Sequence, residues 1–138
     1  MSKRIIKIGL IVAGSWLTYK FIQAQDFKKY LGIPYKWGGS SIKGFDCSGF
    51  TQYFYKNEYN KQIPRVSIDQ YEASRRVNIP IPGDLIFFAD PECSVSHVGI
   101  YLGNNYFVHA GSSTGIFKAN LDSNNKYWRK KLIGFGRF

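Results

Sequence analysis

The chain changes its rhythm of apolar and polar positions as it proceeds. Ile8 to Leu17 (IGLIVAGSWL) is an uncharged run behind the basic start MSKRIIK, and Lys20 and FIQAQ follow it. From Asp26 the pattern becomes that of a folded domain. DFKKYLG reads as a helical turn closed by Gly32, and IPYKWGGSSIKG as a loop dense in glycine and serine. Asp46 is placed to cap a helix, because its carboxylate can accept the unpaired N–H groups of a first turn. That helix should run from Cys47 to about Glu58, with Cys47, Phe50 and Phe54 on its buried stripe and Lys56 and Glu58 in water. Ser67 and Gln70 match a capping box that opens a second short helix.

Strands then follow in series. LIFFA, Leu85 to Ala89, is a short apolar run between turn signals and predicts a buried strand. SHVGIYLG and NYFVHAG predict a hairpin around Gly103-Asn104-Asn105. GIFKANL is a further strand candidate, and LIGFGRF alternates in a way that closes the sheet. Helices first and antiparallel strands afterwards indicate an α+β domain, with N-terminal helices packed on an antiparallel sheet, rather than an alternating parallel fold.

The first 24 residues stand apart. The apolar run has about half the ~20 residues that a spanning helix needs, and a basic start, a short apolar stretch and Ala24 fit a signal peptide. The alternative is an uncleaved N-terminal membrane anchor over Ile5 to Ala24, with Lys7 and Lys20 snorkelling. The domain is then residues 25–138, and either reading places it outside the cytoplasm: periplasm, cell envelope or secreted.

Charge adds one constraint. The net charge is +10, of which Lys3, Arg4, Lys7 and Lys20 precede Asp26. Such an excess favours an anionic partner. Apart from Arg129, Lys130 and Lys131 the basic residues are scattered, which describes a solvated surface and not a nucleic-acid site.

Cys47 is the first candidate for chemistry. A cysteine in the first turn of a helix lies at the positive end of the helix dipole, which favours the nucleophilic thiolate. The competing reading is a small buried hydrophobe. A cysteine nucleophile needs a base, and the chain has two histidines, His97 and His109, both in the predicted hairpin. A three-residue loop, Gly103 to Asn105, sets Gly99 opposite His109 and so places His97 on the face of His109. A two-residue loop places them on opposite faces. Spacing alone leaves open a base with its orienting partner or two structural histidines. The Cys and His spacings match no zinc pair, and no metal or cofactor is called for.

Tyr35, Trp37, Gly38 and Gly39 (Y-x-W-G-G), Gly44 to Gly49 (G-F-D-C-S-G), Pro64, Arg65, Ser67 and Gln70 (P-R-x-S-x-x-Q), Pro82 to Phe88 (P-G-D-L-I-F-F) and Ser96 to Gly103 (S-H-V-G-I-Y-L-G) occur in that order. From about Asp26 to Phe138 the sequence resembles the NlpC/P60 family of papain-like cysteine peptidases. The resemblance implies an enzyme that cuts peptide bonds in peptidoglycan or muropeptide stems, most often between D-γ-glutamyl and a diamino acid. It implies Cys47 as nucleophile, His97 as base and His109 as the group orienting it. Tyr35 would stand beside the oxyanion, and Asp46, Ser48 and Arg65 near the substrate. The same Cys-His-His site would serve an amidase, an acyltransferase or an antibacterial toxin. A non-catalytic cell-wall-binding module is a further alternative, against which the three intact residues argue.

The remaining residues have plainer readings. Trp37 reads as core or loop packing. Arg65 could hold a substrate carboxylate or an internal acid such as Asp46. GSSTG, Gly111 to Gly115, lacks the Lys-Ser/Thr of a phosphate loop. Cys93 is expected to be free or unimportant, since a bridge to Cys47 would block the nucleophile. The basic excess after the leader suits an anionic wall surface, and the membrane is a partner only if the leader stays.

Overall fold

A computed structural model describes residues 16–91 and 94–138. Cys93 and the first 15 residues of the leader lie outside them. Helix α1 is Trp16–Ala24, followed by a 3-10 turn, Gln25–Tyr30. A small hairpin, β1 Ser40–Ser41 and β2 Gly44–Phe45, leads into α2, Cys47–Tyr59, and then α3, Ser67–Ala73. The strands are β3 Arg75–Val77, β4 Leu85–Phe88, β5 His97–Gly103, β6 Tyr106–Gly111, β7 Gly115–Asn120 and β8 Leu132–Arg137. Between the last two lie a short α4, Ser123–Lys126, and a 3-10 turn, Arg129–Lys131.

The six strands form one antiparallel sheet in the order β3-β8-β4-β5-β6-β7. This is the expected α+β architecture. Phe50, Phe54 and Tyr55 of α2 pack on one face, against Leu85, Phe87, Val98, Ile100, Val108 and Ala110. The other face gathers Ile86, Phe88, Tyr101 and Phe107 under Trp128 and Leu132. β4 is therefore buried on both faces, which is why LIFF is apolar without alternation. Each fully buried Phe stabilises the domain by roughly 1.5–3 kcal/mol relative to exposure.

LIGFGRF does join the sheet, from within it: β8 lies between β3 and β4. Several local expectations need correction. Glu58 is 3% exposed, not in water. Its carboxylate accepts from the Tyr30 hydroxyl at 2.7 Å and pairs with Lys29 at 2.7 Å, partners that only the tertiary fold supplies. Ser67 and Gln70 do not make a capping box. Val66 is the N-cap of α3 and makes no side-chain cap bond, while the Gln70 amide turns inward to Ser48 O and Pro64 O at 3.1 and 2.8 Å. Trp37 is 88% exposed and packs in no core.

The β5–β6 hairpin combines both loop readings. Asn104 and Asn105, with φ of 52° and 66°, make a two-residue turn. Two-residue hairpin turns of this hand require positive φ at both positions, which Asn tolerates. The ladder then shifts between Tyr101 and Gly103, and this irregularity restores the pairing Ile100↔Val108. Gly99 is thereby brought against His109: a Cβ at Gly99 would stand 3.2 Å from His109 Cβ and 2.8 Å from Val108 O. The two histidines end on one face, as the three-residue loop requires.

Candidate active site

Asp46 caps α2: the Gly49 N–H donates to its Oδ1 at 2.7 Å. Arg65 straddles this cap. Its Nη1 donates to Asp46 Oδ1 at 3.0 Å and its Nη2 to Oδ2 at 2.9 Å, a bidentate pair. Nη1 also reaches Ser48 Oγ at 3.0 Å, and Nη2 the Gly39 carbonyl at 3.4 Å. Of the two readings of Arg65, the internal one holds. The guanidinium fastens the glycine loop, the cap and Ser48 into one unit. Gln70, with its hydroxyl donor Thr51 at 2.8 Å, supports the same turn from inside.

Gly49 explains part of GFDCSGF. A Cβ there would fall on the carbonyl oxygen of Gly39 and within 2.9 Å of Asp46 Oδ1. Only glycine lets the loop from Tyr35 to Gly39 close on the start of α2. The Asp46 N–H donates to Gly39 O at 3.0 Å, and Tyr35 bridges to Phe45, so the loop is held at both ends.

Cys47 is half-buried at the first position of α2. Burial pushes its thiol up from the ordinary value, the N–H of Val98 pulls it back, Asp46 raises it again, and the N–H groups of Ser48 and Cys47 itself lower it. A helix N-terminus contributes typically 0.3–1 kcal/mol, about 2 at most, and here desolvation outweighs it. The thiolate favoured by the cap is therefore not the resting form. Contact with the Val98 N–H puts the sulfur at the strand residue that follows His97. Tyr35 is the other neighbour: burial, and then Cys47 and Asp46, raise its phenol, which keeps the hydroxyl protonated and able to donate.

The histidines form a pair. His97 Nε2 lies 2.8 Å from His109 Nδ1, with the rings at 87°. Trp128 stacks on His97 at 5.1 Å and 24°, and meets His109 edge-on at 5.0 Å. Phe88 flanks His97 and Phe107 flanks His109. Burial lowers His97 to about 4, with Asp90 raising it and Lys131 lowering it. Burial, and then the His97 charge, lower His109 to about 3. Both rings are neutral at neutral pH, so one ring donates and the other accepts across the short contact. A proton on His97 Nε2, donated to His109 Nδ1, leaves His97 Nδ1 free as a base.

Tyr35, His97, His109, Trp128 and Lys131 line a cleft of about 960 Å³, whereas Cys47, Asp46, Ser48 and Arg65 fall outside its walls. At its rim Lys131 pairs with Asp90 at 2.7 Å. Trp128 carries no signal in the sequence: it sits in YWRKK, where the basic neighbours suggest a solvated surface. Among the described residues no cluster of His, Cys, Asp and Glu could hold a metal ion.

The Cys47 sulfur stands at a capped helix start beside Val98, the strand residue after His97, and His97 meets His109 in the neighbouring cleft, an arrangement compatible with thiol chemistry. The chain belongs to the NlpC/P60 family, whose pattern it matches over residues 32–137. It is 44% identical over 117 residues to the probable peptidoglycan endopeptidase LytE of Bacillus subtilis, covering 83% of this chain and 33% of that protein. It is 36% identical over 119 residues to the gamma-DL-glutamyl hydrolase of Bacillus subtilis, covering 83% and 28%. A solved NlpC/P60 family protein from Bacillus cereus superposes with a TM-score of 0.75 at 34% identity, over 84% of this chain and 39% of that one. The chain thus spans about a third of the length of these relatives.

Proposed function

We propose that the protein is a cysteine peptidase acting on peptidoglycan stem peptides, at the bond between D-γ-glutamyl and a diamino acid. The observation that carries this reading is the joint placement of Cys47 against the Val98 N–H and of His97 against His109. The names of relatives, a peptidoglycan endopeptidase and a gamma-DL-glutamyl hydrolase, supply the substrate class. Such a substrate also places the enzyme outside the cytoplasm.

In this reading the Cys47 thiol gives its proton to His97 Nδ1 as the sulfur attacks the amide carbonyl. His97 then carries the charge against the His109 lone pair. The oxyanion meets the Cys47 N–H and the protonated Tyr35 hydroxyl. The C–N bond breaks as His97 returns its proton to the leaving amine. Water adds to the thioester, passes a proton back to His97, and the sulfur departs.

Mass spectrometry of digested muropeptides tests the reading. New fragments ending in D-glutamate and fragments beginning with the diamino acid are expected, and Cys47→Ala should abolish both. Unchanged muropeptides from an enzyme whose Cys47 still alkylates would move the site to another amide or ester.

A further inference from the structure

Helix α1 buries two strongly polar side chains, Lys20 at 0% and Gln23 at 2% exposure, together with Tyr19 at 9% and Ala24 at 0%. It leaves outside, beside Thr18, the apolar Leu17 at 40% and Phe21 at 51%, one turn apart, and Trp16 at 37%. A helix on an aqueous surface shows the opposite pattern.

The buried face is fixed to the domain. Lys20 Nζ meets Asp84 Oδ1 at 2.8 Å with both side chains fully buried. Arg137 of β8 grips the same carboxylate through Nε and Nη2 at 2.9 and 2.8 Å. The Tyr59 hydroxyl donates to Lys20 O, and Tyr19 and Gln23 both donate to Glu58 O. The Trp16 ring sits on Tyr19 and Tyr59. A buried ammonium is tolerated because its partners are in place, and removing Lys20 leaves the buried Asp84 with Arg137 as its one remaining cation. Cleavage after Ala24 would remove Lys20 from Asp84 and uncover Tyr59.

What covers the outer face is indicated by the sequence that enters it. Ile8 to Leu17 runs uncharged into the first turn of α1, behind Lys3, Arg4 and Lys7. The following 3-10 turn exposes Lys28, and the domain is basic overall. Leu17 and Phe21 on one face, with Trp16 at its margin and lysines close by in the sequence, is a composition suited to an anionic lipid interface. Among the described residues no helix is long and apolar enough to cross a membrane.

We infer that Trp16–Ala24 is retained as part of the catalytic domain, and that Trp16, Leu17 and Phe21 seat the domain on an anionic lipid surface. This goes beyond the peptidase reading and does not depend on it. The test uses the full chain. Intact mass and N-terminal sequencing after expression in a bacterial host should give a chain starting at or before Trp16. A chain starting at Gln25 overturns the inference. The purified full chain should sediment with vesicles of phosphatidylethanolamine and phosphatidylglycerol. The double variant Leu17→Asp/Phe21→Asp should bind at least roughly tenfold more weakly, with an unchanged Tm. Equal vesicle binding by parent and variant overturns the inference. So does a variant that turns a dimer into a monomer without changing vesicle binding, which would assign the face to a second copy.

Discussion

The indole of Trp128 covers His97 and touches His109, and so forms part of the burial that keeps both imidazoles neutral. Trp128→Ala lets water reach the pair. His97 should then titrate closer to the ordinary 6.5 than to its present value of about 4, as followed by NMR of the imidazole protons. The acid limb of the hydrolysis profile should rise with it. A residue that only filled space would leave both unmoved. The raised Cys47 thiol makes a second expectation at this scale: iodoacetamide should react slowly near neutrality and faster through the alkaline range. Rapid labelling at pH 5 would reveal a thiolate–imidazolium pair instead. Arg65→Lys keeps the charge but loses the fork on Asp46, and should cost about 1–3 kcal/mol in urea denaturation. Cys47 and Asp46 were legible because a cap and the residue after it are neighbours in sequence. Arg65 was half legible, since both of its readings were anionic and only the fold shows which anion lies within reach. Trp128 lies 31 residues beyond His97 with no pattern joining them, so its contact exists only after β5 and the turn before β8 are brought together.

At the scale of elements, the tightest constraint is the crossing of the Gly38–Gly39 loop with the first turn of α2. Gly49→Ala forces a Cβ onto Gly39 O. Either the loop or the helix must give, at about 1–3 kcal/mol, and Tyr35 moves with the loop. Hydrolysis should fall more steeply than stability, which comparing kcat/KM with the urea midpoint would show. The hairpin illustrates how far alternation carries. The shared face of His97 and His109 follows from period-two patterning, but the turn type and the compensating irregularity at Tyr101/Gly103 do not, because two local departures cancel. α2 was legible for a similar reason, since its cap and buried stripe are written within a few residues, whereas the burial of Glu58 depends on Lys29 and Tyr30 in a separate element. The short β3, Arg75–Val77, has no apolar run and is a strand only because β8 offers it an edge.

For the whole molecule, the two histidines link stability to acidity. Each binds a proton in the unfolded chain near 6.5 but in the folded one only near 4 and 3. Their contribution is complete above about 6.5 and is lost as pH falls through the window down to the folded values. Unfolding then takes up as many as two protons, so stability should decline by up to roughly 1.4 kcal/mol per pH unit for each of them. Thermal unfolding across pH 7 to 4 checks this, and His109→Asn should flatten the slope. The position of β8 carries a consequence of another kind. The last strand fills the gap between β3 and β4, and Arg137 completes the grip on Asp84. While the ribosome still holds these residues, the nascent chain has a split sheet and a carboxylate lacking one of its two cations. The sheet and the grip on Asp84 are thus complete only once translation has passed Arg137, and a chain truncated before Leu132 should neither fold cooperatively nor hydrolyse muropeptides.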